Sequence, residues 1–184
     1  MEKVIIGIAG EIASGKDTVG KYLAEEHGAH SLRFSQPLRD ILDRMNLPQD
    51  RENMVKLSIH LRKAFGEDIF SRVILGEAEK SDKTLVVVDG VRRLPDILHL
   101  ENEKHFYFAY VEASSEKRYE RLVKRRQNTD DATKTPAQFE KDAQLETESQ
   151  IRALKERADF IINNDGTLEE LQKQVDDIVS KIRQ

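Results

Sequence analysis

Near the N-terminus, Val4-Ile5-Ile6-Gly7-Ile8-Ala9 runs directly into Gly10-Glu11-Ile12-Ala13-Ser14-Gly15-Lys16-Asp17-Thr18. No other stretch constrains the chain as strongly. A short run that is apolar on both faces reads as a buried strand. The turn after it has the spacing G-x-x-x-x-G-K, and residues 16–26 then carry helical spacing. Strand, glycine-rich turn and helix N-terminus in that order predict a phosphate-binding loop. Glycines let the backbone curl so that successive N–H groups point at one anion, and the helix dipole adds positive potential at the same place. Gly10, Ala13, Ser14, Gly15, Lys16, Asp17 and Thr18 are the predicted nucleotide-binding residues, with Lys16 reaching the β- and γ-phosphates of ATP. Asp17 stands where such loops commonly carry Ser or Thr to touch Mg²⁺. An aspartate there can hold the metal's water shell or cap the helix, and Thr18 follows it.

The rest of the chain repeats the alternation of strand and helix. Further apolar runs fall at residues 31–34, at Leu85–Asp89, at Phe106–Glu112 and at residues 159–163. Helical spacing covers residues 37–45, two segments within 52–80, then 94–103, 115–126, 136–157 and Leu168–Ile182. Thr167 with Glu170 three residues later reads as a capping box for the last helix. Strands alternating with helices imply right-handed crossovers and a parallel sheet. The expected fold is α/β, a three-layer P-loop sandwich with about five parallel strands, helices on both faces and a small helical lid. The 184 residues suit a single domain, 1–184, with a helical acceptor-binding insertion at about 36–82 and a lid at about 125–140. Ligands on such sheets sit at the carboxyl ends of the strands.

Composition narrows the partners. The formal net charge is −4, which argues against a nucleic-acid or membrane-surface binder. There is no cysteine, so there is neither a disulfide nor a thiolate metal site. The opening apolar run is too short to span a bilayer, and a cytoplasmic protein is expected. The five histidines form no metal spacing and no triad.

Leu85-Val86-Val87-Val88-Asp89 is an apolar strand ending in a carboxylate, the pattern that orients Mg²⁺ through its waters. Asp89 and Asp17 are the predicted metal-side residues. Arg92 and Arg93 follow at once, at the end of a strand where the ligand crevice opens, and arginine forks match phosphate oxygens. Arg39, just past the second strand, and Arg62 are further candidates for the acceptor's phosphate, although either can be a solvated surface residue. Arg118, Arg121 and Arg125 share one face of the helix over 115–126, with Arg126 beside them. The polar stretch 127–133 follows, and a basic helix end entering such a stretch suits a lid that brings cations to the transferring group. Arg121 is assigned to the nucleotide; Lys16, Asp89, Arg93 and Arg125 are assigned to catalysis.

These residues together resemble the P-loop nucleoside monophosphate kinase superfamily: the loop from Gly10 to Thr18, the segment Asp89-Gly90-Val91-Arg92-Arg93, and the basic helix end. Adenylate kinases are similar in placing Thr one residue after the usual hydroxyl slot and an arginine three residues after the Asp-Gly glycine. The tail from Ala158 to Leu171 resembles dephospho-CoA kinases and archaeal adenylate-kinase-like proteins, which implies that Asn164 and Gly166 lie against the adenine of ATP. The segment from Phe34 to Leu38 and the Asp89–Arg93 stretch are similar to viral deoxynucleoside monophosphate kinases and animal phosphomevalonate kinases. The resemblance implies transfer of the γ-phosphoryl group of MgATP to a small nucleotide acceptor, a (deoxy)nucleoside monophosphate, by a monomer or small homo-oligomer. Dephospho-CoA is the alternative acceptor, although Ser35 stands where that pattern expects an acid. A nucleotide-binding regulatory ATPase is the alternative from another class.

Overall fold

The computed structural model describes residues 2–125 and 134–183. Five strands form one parallel sheet: β1 (Val4–Ala9), β2 (His30–Arg33), β3 (Leu85–Asp89), β4 (Phe106–Glu112) and β5 (Phe160–Asn163), in the spatial order β2-β3-β1-β4-β5. This is the expected three-layer α/β sandwich, with helices on both faces of a parallel sheet. Among the described residues the α-helices are α1 (Lys16–His27), α2 (Gln36–Arg44), α3 (Arg51–Phe65), α4 (Ile69–Lys80), α5 (Ser115–Arg125), α6 (Pro136–Ala143), α7 (Glu146–Ala153) and α8 (Leu168–Ile182).

The central strands are apolar on both faces because both faces are covered. Ile5, Ala9, Val86, Val88, Phe108 and Tyr110 point to the face packed with Leu38 of α2 and Phe70, Ile74 and Ala78 of α4. Ile6, Ile8, Leu85, Val87, Ala109, Val111 and Ile162 point to the other, under α1 and α8. Helix α8 supplies Leu171, Val175, Ile178, Val179 and Ile182 along one stripe, and each such side chain is worth about 1.5–3 kcal/mol when fully buried. Gly7 sits mid-strand because a Cβ there would stand 3.0–3.1 Å from the Phe108 and Phe106 rings. The edge strands are different: only Ile162 of β5 is buried, and β2 has no buried residue. Among the described residues, no helix is long and apolar enough to cross a membrane.

Strand and helix boundaries match the sequence expectation within one residue for all five strands and for α1, α2, α5 and α8. Two helical segments differ. Residues 94–103 form no α-helix but two 3₁₀ turns, Leu94–Asp96 and Leu100–Asn102. Pro95 has no N–H to donate, and the Asp96 carboxylate takes the N–H groups of Arg92 and Arg93. Residues 136–157 divide into α6, α7 and a 3₁₀ turn at Leu154–Arg157. At the break, the carbonyl of Ala143 accepts a bond from Arg152 Nη1 at 2.5 Å instead of continuing the helical ladder. Helices α2, α3 and α4 all lie between β2 and β3, in the stretch expected to bind the acceptor. Residues 126–133, half of the expected lid, lie outside the described residues.

Candidate nucleotide and acceptor site

β1 delivers the chain to the phosphate loop at the carboxyl edge of the sheet, between β3 and β4. The loop bends through two left-handed residues, Ala13 at φ 61° and Gly15 at φ 98°. Ser14 N–H donates to the Glu11 carbonyl at 3.1 Å, and the Gly15 carbonyl accepts from Thr18 at 2.9 Å to start α1. An alanine is strained in that region, and here its methyl group is held in a small cluster with Leu122 and Phe139. Gly15 has two reasons to be glycine: its positive φ, and Asn164 Nδ2, which a Cβ would approach to 2.0 Å. At Gly10 a Cβ would meet the Val111 carbonyl at 2.4 Å.

Buried partners set the loop's orientation. Asn164, 7% exposed, donates from Nδ2 to the Ser14 carbonyl at 2.7 Å. Arg121 donates from Nη2 to the Asn164 carbonyl at 2.6 Å and from Nη1 to the Ser14 carbonyl at 3.5 Å. A trans peptide holds its C=O and N–H antiparallel. Pinning the Ser14 carbonyl toward β5 and α5 therefore turns the Gly15 N–H the opposite way. Glu11 pairs with Arg118 at 3.4 Å and with Arg152 at 3.0 Å, and Glu148 accepts the Ile12 N–H at 3.2 Å. Sequence reasoning missed Glu11, Glu148 and Arg152, because nothing in their spacing marks a contact more than a hundred residues away in the chain.

Asp89 ends β3 in register with Ile8 of β1 and with Arg33 of β2. Its Oδ1 is buried without a hydrogen-bond partner. Burial pushes its carboxyl above the ordinary aspartate range and Asp17 adds to the shift, while Lys16 and Arg33 pull it down. A buried, unsatisfied carboxylate oxygen is costly, and a hard cation or its water would satisfy it. Among the described residues no group of three or more His, Cys, Asp or Glu forms a cage. That suits Mg²⁺ held by one or two carboxylates together with phosphate oxygens. Glycines that a Cβ would fill, a left-handed turn and an orphan oxygen at Asp89 together fit MgATP. Lys16 Nζ lies 3.5 Å from Asp17, whose side chain is 57% exposed.

The predicted acceptor residues separate. Arg92 and Arg93 lie on the loop after β3, with Arg93 Nη1 3.2 Å from Glu67. Arg39, on α2 just past β2, donates to Gln49 at 3.3 Å. Arg62 does not reach the surface as a free cation. It is 8% exposed, stacks over Phe70 and pairs with Asp96 at 2.7 Å. On the donor side, Arg118 is likewise a buried partner, of Glu11 and of the Phe139 ring. Arg121 braces the phosphate loop and the loop after β5, where it was expected to close over the transferring group. Asn164, expected against adenine, holds the Ser14 carbonyl. Gly166 lies at the turn closed by the Thr167–Glu170 capping box, which is present as expected. Arg125 ends α5; Arg126 lies outside the described residues. The open cavity of about 480 Å³ bounded by Phe106, Phe108, Arg157 and Asp159 lies at the amino ends of β4 and β5, across the sheet from the phosphate loop.

A family profile described as an AAA domain matches residues 6–146. A UPF0200 protein of Thermococcus gammatolerans is 30% identical over 97% of this chain and 95% of its own length. A UPF0200 protein of Methanoregula boonei is 29% identical over 95% of each. Among solved structures, TT1252 from Thermus thermophilus aligns with a TM-score of 0.65 at 20% identity, covering 98% of both chains. A shikimate kinase from Bacteroides thetaiotaomicron aligns at 0.60 and 17% identity over 98% of this chain and 99% of its own. A gluconokinase from Sinorhizobium meliloti aligns at 0.56 and 14% identity over 98% and 95%. These likenesses are of fold. By its match to the domain profile over residues 6–146 and its near full-length similarity to the archaeal relatives, the chain belongs to the AAA domain family and within it to the UPF0200 proteins.

Proposed function

We propose that this protein is an ATP-dependent kinase that transfers the γ-phosphoryl group of MgATP to the phosphate of a small nucleotide, a nucleoside or deoxynucleoside monophosphate. The observation that supports it most is the pairing of two anion-binding regions across Asp89. The phosphate loop lies on one side. Arg33, Arg92, Arg93 and Arg39 lie on or beside the ends of β2 and β3 on the other. A nucleotide switch needs one phosphate site; a kinase whose acceptor group is a phosphate needs two. The shikimate kinase and gluconokinase neighbours share the fold with other acceptors, so the acceptor is read from the arginines.

In this reading the loop amides and Lys16 bind the β- and γ-phosphates, and Asp89 would hold the metal. Mg²⁺ would supply charge neutralisation on the phosphate oxygens. Arg92, Arg93 and Arg39 hold the acceptor phosphate, one of whose oxygens forms the new bond to the γ-phosphorus as the bond to the bridging oxygen breaks and ADP leaves. The arginine at the end of α5, Arg125, is assigned to the same transferring group in this reading. No dedicated general base is needed, because positioning and electrostatics carry phosphoryl transfer. The protein acts in the cytoplasm as a monomer or small homo-oligomer.

The test is ADP release with and without a panel of ribo- and deoxynucleoside monophosphates and dephospho-CoA. Release that depends strongly on one monophosphate is expected. Release indifferent to every acceptor would mean a slow ATPase and would overturn the reading. Preference for dephospho-CoA would move the acceptor group from a phosphate to a ribose hydroxyl.

A further inference from the structure

Beneath the two arginines that follow β3 lies a carboxylate with no place in the phosphate loop or the metal site. Asp96 is 2% exposed. Its Oδ2 accepts the backbone N–H of Arg92 at 3.0 Å and that of Arg93 at 3.1 Å. Its Oδ1 accepts from Arg62 Nη2 at 2.7 Å. Arg62 comes from the last turns of α3, and its Nη1 donates to the backbone carbonyl of Glu67. The side chain of Glu67 in turn holds Arg93 at 3.2 Å. Three segments therefore meet at one buried ion pair: α3, the turn into α4 and the loop after β3.

Stability alone is a weak reason for such a pair. Desolvating two charges offsets most of their attraction, and apolar residues of the same volume commonly hold a fold as well. Arg62 Nε is also buried without a partner, which adds to the cost. What an apolar pair cannot do is accept two backbone N–H groups and a guanidinium at once. An ionised carboxylate can, because it is acceptor-only with two oxygens. The bonds it makes set the backbone direction of two consecutive arginines.

We propose that Asp96 is a positioning residue for the acceptor. It fixes the backbone from which Arg92 and Arg93 reach the acceptor phosphate, and Arg62 ties that setting to α3, so that the helical insertion and the arginine loop move as one. This rests on the reading of Arg92 and Arg93 as acceptor-binding.

The experiment uses Asp96→Asn and Arg62→Lys in the full chain, below the melting temperature measured for each. Asparagine keeps the shape but presents an amide to one of the donors; lysine keeps the charge but loses the fork. With the best monophosphate of the panel, Asp96→Asn should raise the acceptor KM about tenfold or more, as misplaced binding groups do, and leave the KM for ATP unchanged. Arg62→Lys should shift the same constant in the same direction by less. A purely structural role predicts equal effects on both substrates, or none in the folded protein, and either result overturns the proposal. If Asp96→Asn does not fold, Arg62→Lys decides alone: an unchanged acceptor KM overturns it. Calorimetric titration of inorganic phosphate into protein saturated with a non-hydrolysable ATP analogue reads the site without turnover. Weaker phosphate binding in the variants supports the positioning of Arg92 and Arg93 even if no acceptor on the panel is phosphorylated, in which case the acceptor named above is wrong and the second phosphate site at these arginines stands. Equal binding, or none in the wild type, overturns it.

Discussion

On the phosphate-loop side the backbone is pinned by buried Asn164 and half-buried Arg121 on the Ser14 carbonyl, and buried Arg118 holds Glu11. On the acceptor side the backbone is equally well set by Asp96, but the guanidiniums themselves hold exposed groups: Arg93 holds Glu67, whose side chain is 61% exposed, and Arg39 holds Gln49. Burial raises the cost of losing a polar partner, whereas exposed ion pairs are worth about 0–1 kcal/mol. The phosphate loop is thus preorganised, as a site that stabilises developing charge must be. In the proposed reading, Arg93 and Arg39 can trade an exposed partner for a phosphate at little cost. The difference teaches where rigidity is needed: in the backbone on both sides, and in the side chains only beside ATP.

The sharpest way to break this comparison is on the donor side. Lys16→Ala should lower kcat by at least about a hundredfold, the scale of one preorganised electrostatic contact, with the melting temperature preserved. Near-normal turnover by the folded variant would remove the phosphate loop from the reaction.

On the acceptor side, Arg93→Lys keeps the charge and loses the planar fork. It should cost about 1–3 kcal/mol in kcat/KM for the acceptor, comparable to a charged hydrogen bond. The KM for ATP should not move. A rise in the ATP constant instead would place Arg93 on the donor side.

Asp89, between the two, sharpens the contrast through pH. Its carboxyl is raised in the folded chain by burial, so the folded state holds the proton more tightly than the unfolded one. Stability from this group is therefore fully present below the ordinary aspartate value and is lost as pH rises through the raised one. At neutral pH the charge is a burden on the ligand-free protein. Asp89→Asn should then melt a few degrees above wild type at pH 7, with the gap closing in acid, while the Mg²⁺ dependence of turnover collapses. Wild-type melting at both pH values together with a wild-type Mg²⁺ titration would make Asp89 a turn residue.

The smallest effect is expected at Glu67. Glu67→Gln frees Arg93 from an exposed competitor, so the acceptor KM should fall by up to about fivefold, the limit set by an exposed ion pair. An increase would mean that Glu67 helps to hold the acceptor.

Much of this site was legible in the chain itself. The run Val4–Ala9, the glycine spacing and Lys16 identify a phosphate loop because its physics is local: strand, turn and helix are neighbours in sequence. Asp89 was legible for the same reason, as the polar end of an apolar strand. Residues 94–103 misled, since their apolar spacing suits a helix while Asp96 spends its carboxylate on the two preceding arginines. Arg62 misled in the opposite way. An arginine on a helix reads as a surface cation until Asp96, 34 residues on, is found beside it.

The sequence by itself determined the alternation of strand and helix, the buried sheet and the glycine-rich turn between β1 and α1, because periodicity and turn chemistry act over a few residues. Only the tertiary structure decided which arginines are held by buried or half-buried partners and which pair with exposed groups. Arg62, Arg118 and Arg121 carry the same charge as Arg39, Arg92 and Arg93, and a guanidinium's role depends on what packs against it. Asp96, Glu11 and the Asn164–Ser14 contact come from parts of the chain that only folding brings together.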